Sequence, residues 1–231
     1  IVGAEVLLRW QHPIKGFVPP GQFIPLAESG NLIVPLGQWV LRQACATLAR
    51  WAALPELRDV TLAVNVSPRQ FYEEGFVEQV RQALDGSGAP PQRLKLELTE
   101  GILLQDIGGT IGKMEQLRRL GVSFSLDDFG TGYSSLAYLK RLPLQELKID
   151  QSFVRDVLQD ANDAAIARTI IALAQSLNLQ VTAEGVESEE QRHFLERSGC
   201  HAWQGYLLSP PVPVLEFEAL LLRYNAETYD I

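Results

Sequence analysis

Val122-Ser123-Phe124-Ser125-Leu126-Asp127-Asp128-Phe129-Gly130-Thr131-Gly132 alternates apolar and polar side chains as far as residue 127, then meets a second acid and two glycines. Alternate residues of a strand face opposite sides. Val122, Phe124 and Leu126 therefore share one face, and Ser123, Ser125 and Asp127 the other. The run Val122 to Leu126 reads as a strand, and the glycines after the paired acids let the chain turn sharply. A strand that closes on such a turn is half of a β–α unit. The Gly-Thr-Gly step alone is a weak sign of phosphate binding, and a plain strand–helix turn with one helix cap is the competing reading.

The pattern repeats on both sides of this stretch. Val60 to Val66, Leu94 to Leu98, Leu144 to Ile149 and Leu179 to Ala183 read as further short apolar strands. Leu32 to Trp51, Phe76 to Leu84, Ile107 to Leu120, Ala161 to Leu177 and Ser188 to Arg197 carry apolar residues at helical spacing. Gly121, Gly199 and Asn178 stand where helices should stop. Alternating strands and helices imply parallel strands with crossover helices, so the expected fold is α/β, a TIM-like (β/α)8 barrel with one antiparallel strand, in a single domain over residues 1–231. Pro210 to Pro213 reads as a loop before a terminal helix from Val214 to Tyr224. Ile1 to Trp10 is itself strand-like, which leads us to expect a further element upstream.

The bulk properties bound the function. The 231 residues, 46% of them hydrophobic, suffice for one substantial core. A net charge of −8 and a pI near 5.0 exclude a general binder of nucleic-acid polymers or anionic membranes, which would show a basic footprint. No charge-free apolar stretch of about 18 residues or more occurs, so no segment reads as a membrane span. No secretory signal is visible, and the expected location is cytoplasmic, in a parent protein that can itself be membrane-anchored. Cys45 and Cys200 lack Cys-x-x-Cys spacing and read as buried, reduced core residues.

Applying the strand alternation throughout isolates one polar face. Glu5, Leu7 and Arg9 oppose Val6, Leu8 and Trp10. Asn65 lies opposite Val64 and Val66, and Lys95, Glu97 and Thr99 oppose Leu94, Leu96 and Leu98. Glu146, Lys148 and Asp150 oppose Leu147 and Ile149, and Thr182 and Glu184 oppose Val181 and Ala183. The apolar faces must pack under helices, which turns Glu5, Asn65, Glu97, Asp127 and Glu184 into the barrel toward its C-terminal end, where barrel active sites lie. So many acids cannot share a buried space without cations or large pKa shifts. Oxygen-only ligands suit Mg²⁺ or Mn²⁺ better than zinc, and His12, His193 and His201 lack the paired spacing of a zinc site. Adjacent Asp127 and Asp128 can reach two different metals, and two metals can clamp the attacking and leaving oxygens of a phosphodiester. Lys148 can position water or neutralise phosphate charge, or simply pair with Asp150 or Glu184. Arg9 is a candidate phosphate fork or a barrel-mouth ion pair.

These residues resemble the EAL domain family, which hydrolyses the bacterial second messenger cyclic di-GMP to linear pGpG. The likeness rests on Glu5-Val6-Leu7-Leu8-Arg9-Trp10, Asn65-Val66-Ser67, Glu97-Leu98-Thr99-Glu100, Asp127 through Ser135, Lys148-Ile149-Asp150, Glu184-Gly185-Val186-Glu187 and Gln204-Gly205-Tyr206. The resemblance implies two bound ions, with Glu5, Asn65, Glu97 and Asp127 as ligands and Asp128 and Glu184 completing the second site. It implies that Lys148, with Asp150, holds the water, that Gln204 hydrogen-bonds near it, and that Arg9 and Leu7 contact substrate. Glu100 is similar to the residue that anchors the Asp127 to Ser135 loop, and Glu187 to a supporting residue behind the ligands. Two departures stand out. The name-giving tripeptide reads Glu-Val-Leu here, with residue 6 facing away from Glu5, and a Tyr-Gln-Pro-like strand that family members carry upstream is not in this sequence.

Two other functions compete. A catalytically silent cyclic di-GMP receptor would use the same pocket, but such members lose metal ligands or the paired aspartates, and neither is lost here. A Schiff-base lyase built on Lys148 would need a desolvated, neutral amine, whereas the surrounding acids favour its protonated form. The resemblance also implies a homodimer through the loop after Asp128 and adjacent helices, and sensor or cyclase-like domains in the parent protein.

Overall fold

The computed structural model describes residues 1–103, 106–132 and 136–229. Two compact units are present: unit one comprises Ile1–Leu96, Gln116–Ser123 and Pro213–Ile231, and unit two Glu97–Glu115 and Phe124–Val212. Part of the loop expected from Asp127 to Ser135, residues 133–135, lies outside the described residues.

Unit one begins with β1 (Gly3–Val6), β2 (Trp10–His12), β3 (Gly16–Val18), α1 (Pro20–Ser29) and α2 (Ile33–Ala52), followed by β4 (Thr61–Val66), α3 (Pro68–Tyr72), α4 (Phe76–Ser87) and the start of β5 (Leu94–Thr99). β1 pairs in parallel with β4, with Glu5 opposite Ala63. Leu41, Ala44, Cys45, Leu48 and Trp51 recur at steps of three and four along α2 and are all buried, each large apolar side chain contributing about 1.5–3 kcal/mol. Gly37 lets α2 approach α3, since a Cβ there would lie 2.1 Å from Oε1 of the buried Gln70. The last helix, α10 (Val214–Tyr229), docks on α2 through Trp51, whose Nε1 donates to Glu218 Oε1 at 2.7 Å and whose ring stacks on Phe217.

Unit two holds the rest of β5, then β6 (Ser123–Phe129), α6 (Leu136–Leu139), β7 (Glu146–Ile149), α7 (Gln151–Arg155), α8 (Ala161–Ser176), β8 (Gln180–Ala183), α9 (Glu189–Arg197) and β9 (Ala202–Trp203); α5 (Ile107–Leu120) starts in this unit and ends in unit one. β6, β7, β8 and β9 are consecutive parallel neighbours, with Ser125 opposite Glu146, Lys148 opposite Thr182 and Ala183 opposite Trp203. Every residue of β7 is buried, as expected of a parallel strand covered on both faces. α9 starts with a capping box: Ser188 Oγ accepts from Gln191 N–H, and Gln191 Oε1 accepts from Ser188 N–H.

Most expected elements are found within a few residues of their expected ends, and the three expected helix stops, Gly121, Asn178 and Gly199, all have positive φ (104°, 57° and 92°). Three expectations change. The strand expected over Ile1 to Trp10 stops at Val6 and resumes as β2, so Leu7 and Arg9 do not inherit a strand face from Glu5. The strand expected to end at Leu126 runs on to Phe129, which carries Asp127 and Asp128 inside it. Among the described residues the antiparallel pairing lies in the β2–β3 ribbon rather than within the series of parallel strands. No helix among the described residues is long and apolar enough to cross a membrane.

Candidate active site

Three of the acids that the strand pattern turned inward, Glu97, Asp127 and Glu184, meet in unit two around Lys148. Lys148 sits on β7 with 2% of its surface exposed, a large cost for an ammonium unless opposite charge surrounds it. Its Nζ lies 2.9 Å from Glu97 Oε2, 3.4 Å from Asp127 Oδ1 and 2.5 Å from Glu184 Oε1. Three neighbouring strands supply these carboxylates and their lysine: β5 carries Glu97, β6 carries Asp127 and β7 carries Lys148, while Glu184 follows β8 directly. Ser125, fully buried on β6, donates to the other oxygen of Glu97 at 3.2 Å. Ser125 shares the inward face of the strand pattern with Asp127, and a hydroxyl on that face beside a buried acid is the sequence signal for this contact.

A register shift between Leu126 and Phe129 re-aims the two aspartates. Asp128 has a positive φ of 54°, and its N–H donates to Asp127 Oδ1 at 3.0 Å. Burial first, then the charges of Asp127 and Asp150 and a hydrogen bond with Asp150, push the Asp128 carboxyl up to about 6, with Lys148 pulling the other way. Ligand oxygens of Asp127, Asp128 and Glu184 lie within 4.8 Å of one another. This oxygen-only set fits a hard divalent cation. Asp150 caps α7, accepting from Ser152 N–H at 3.0 Å.

Gln204, which follows β9, donates through Nε2 to Glu184 Oε1 at 3.1 Å. Glu100 anchors the turn after β6: its Oε1 accepts from Gly130 N–H at 2.9 Å, and a Cβ on Gly132 would lie 2.5 Å from its Oε2. Glu187 is exposed, and its backbone N–H donates to Gln191 Oε1 at 2.8 Å. In unit one, Glu5 Oε1 accepts from Asn65 Nδ2 at 2.6 Å, which leaves the amide oxygen of Asn65 as a ligand atom. Arg9 and Leu7 are exposed, and Arg9 Nη1 donates to Leu8 O at 3.0 Å. The structure thus brings together Glu97, Asp127, Asp128, Lys148, Asp150, Glu184 and Gln204 in unit two, and Glu5 with Asn65 in unit one.

Parallel strands that deliver carboxylates, a buried lysine and an amide at their C-terminal ends place the chain in the class of TIM-barrel-like α/β proteins whose acidic cluster can hold a divalent metal. Within that class the chain belongs to the EAL domain family, whose model matches residues 1–211. It is 49% identical over 213 residues to the bifunctional diguanylate cyclase/cyclic di-GMP phosphodiesterase MucR of Pseudomonas aeruginosa, covering 92% of this chain and 31% of MucR. It is 47% identical over 221 residues to the cyclic di-GMP phosphodiesterase NbdA of the same organism, covering 96% of this chain and 28% of NbdA. Against the solved MucR phosphodiesterase in complex with c-di-GMP, the TM-score is 0.91 at 48% identity, covering 94% of this chain and 87% of that one. The chain thus spans about a third of the length of the curated relatives it matches.

Proposed function

We propose that this chain, as one domain over residues 1–231, hydrolyses cyclic di-GMP to linear 5′-pGpG with two bound Mg²⁺ or Mn²⁺ ions. The observation that carries the reading is the cluster of Glu97, Asp127 and Glu184 around buried Lys148, with Asp128 beside it, in a chain nearly half identical to two cyclic di-GMP phosphodiesterases. Glu97, Asp127, Asp128 and Glu184 would hold metal, and the same role is assigned to Glu5 and Asn65 on the sequence pattern. The ions would supply a Lewis acid and a water nucleophile available at neutral pH.

The remaining work falls to the side chains. Water oxygen bonds to phosphorus, the bond from phosphorus to the 3′ oxygen breaks, and a water proton ends on that leaving oxygen. Lys148 Nζ, held by three carboxylates, is a fixed positive charge that orients the water and offsets charge building on the phosphoryl oxygens. Asp150 supports that water, and Gln204 fixes Glu184 by its amide hydrogen bond. Arg9 and Leu7, exposed in unit one, are the proposed substrate contacts. Glu100 holds the turn after β6, and Glu187 is assigned a supporting role.

The greater length of the relatives supports a parent protein with sensor or cyclase-like domains; on the sequence resemblance alone, the domain would be cytoplasmic and would join as a homodimer through the loop after Asp128 and adjacent helices. The test is incubation of the purified chain with cyclic di-GMP and Mg²⁺ or Mn²⁺, followed by chromatography. Formation of pGpG that disappears without metal and falls in Glu97→Gln by more than the about 10–100-fold cost of a lost supporting residue is the expected result. Tight binding with no pGpG under any metal would instead make the chain a cyclic di-GMP receptor.

A further inference from the structure

Gln204 reaches Glu184 because the backbone around it is clasped to residues on both sides of Glu184, Ala183 and Val186. Gln204 N–H donates to Ala183 O at 2.8 Å, Val186 N–H donates to Gln204 O at 3.0 Å, and Leu207 N–H donates to Val186 O at 3.0 Å. The chain therefore wraps the Val186 peptide from both sides, and Gly205 lies at the point of closest approach. A Cβ at that position would stand 2.2 Å from Val186 O, 2.3 Å from Val186 N and 2.7 Å from Val186 C. All three are backbone atoms, so no rotamer change can relieve the overlap. The segment must instead lift away from Val186 and loosen the hydrogen bonds that set the Gln204 amide 3.1 Å from Glu184 Oε1, the oxygen that also lies 2.5 Å from Lys148 Nζ.

We infer that Gly205 is a positioning residue of the site: by permitting contact with the Val186 backbone it holds Gln204 against Glu184, and through Gln204 it fixes Glu184 as a ligand. This rests on the reading above in which Glu184 binds metal. The partners behind a ligand set its orientation, and their loss typically costs about 10–100-fold in metal affinity. The side chain that responds is Glu184, which accepts from the Gln204 amide.

The test is calorimetric titration of Mn²⁺ into the wild-type protein, Gly205→Ala, Gln204→Ala and the double variant, with circular dichroism to establish folding. Each single variant is expected to weaken Mn²⁺ binding about tenfold, and the double variant to bind no more weakly than the weaker single, because both remove one and the same support. A general loss of packing would give additive effects, so additivity, or wild-type affinity in a folded Gly205→Ala, overturns the inference. Wild-type protein that takes up no Mn²⁺ overturns it as well. Should Gly205→Ala not fold, replacing the Leu207 amide by an ester removes the N–H donor to Val186 O without adding bulk; a drop in affinity that is absent in the Gln204→Ala background is then required, and no drop refutes it. Wild-type protein that binds Mn²⁺ but does not cleave cyclic di-GMP would end the phosphodiesterase reading while leaving the titration to decide on Gly205.

Discussion

Replacing Lys148 by methionine keeps the volume of a buried side chain and removes only its charge, so the packing contribution should be small. What remains is electrostatic. Nζ lies within 3.4 Å of three carboxylates, with 2% of the side chain exposed. At an effective dielectric of about 20, each such contact is worth about 5 kcal/mol before the cost of desolvation. Measured losses on breaking a buried pair are about 3–5 kcal/mol, because the abandoned carboxylates stay buried. For a chain of 231 residues, that is a fall of roughly 10 °C in Tm. The assay is urea unfolding in EDTA, comparing Lys148→Met with Glu97→Gln and with both together. The double variant should lose less than the sum of the singles by about 1–3 kcal/mol, since each single strands the other's charge. Saturating Mn²⁺ should recover much of the Lys148→Met loss, as a ligand at about a hundred times its Kd adds about 2.7 kcal/mol. A metal-free loss below about 1 kcal/mol, or additivity with Glu97→Gln, would refute the claim that Lys148 is the internal counterion of this cluster.

Asp128 sets the acid limb of metal-free stability. Its folded carboxyl titrates near 6 against 3.8 in its ordinary state, so the folded form holds the proton more tightly and stability should fall as pH rises from about 4 to 6; Asp128→Asn should flatten that slope in EDTA, as read by Tm against pH. Burial pushes the thiols of Cys45 and Cys200 up to about 11 from 9.0, so neither should react with iodoacetamide at neutral pH without denaturant. Because those pKa values are raised on folding, each thiol should cost roughly 1 kcal/mol of stability as pH climbs from 8 to 10, and Cys45→Ala/Cys200→Ala should show a shallower decline. Ser188→Ala removes half of the α9 capping box and should lower urea-unfolding stability by about 1 kcal/mol.

What the sequence revealed follows from how local each signal is. Alternation placed Glu97, Asp127 and Lys148 on the inward face because each polar side chain stands between apolar neighbours that must pack under the helices, and all three are less than a tenth exposed. Helix stops were legible at Gly121, Asn178 and Gly199 because their positive φ is a property of single residues. The helix Pro20–Ser29 carries weak local signals, since Pro25 inside it and Gly21 near its start both disfavour helix. Tertiary contact overrides propensity there, with Phe23 and Ala27 burying one face four residues apart. The β2–β3 ribbon escaped because strands of three residues carry too few alternations to register. The bulge that turns Asp128 away from the strand pattern depends on pairing with β7 and has no trace in local sequence.

Two polar groupings of the chain differ in what they leave unsettled. Glu218 accepts from Trp51 Nε1 and faces the Arg50 guanidinium, a pair that is 45% and 15% exposed. One acid meets one cation and one neutral donor, and the contact fixes α10 on α2. Around Lys148, one cation faces three acids, with Asp128 a fourth within reach of two of them. Apolar residues of the same volume would be neutral or more stable by about 1–4 kcal/mol. Stability therefore cannot be the reason for the second grouping. A carboxylate-rich set, aimed by a bulge, a clasped glutamine and strand ends, fits binding of a divalent cation, and Lys148 would let such a site exist folded without one.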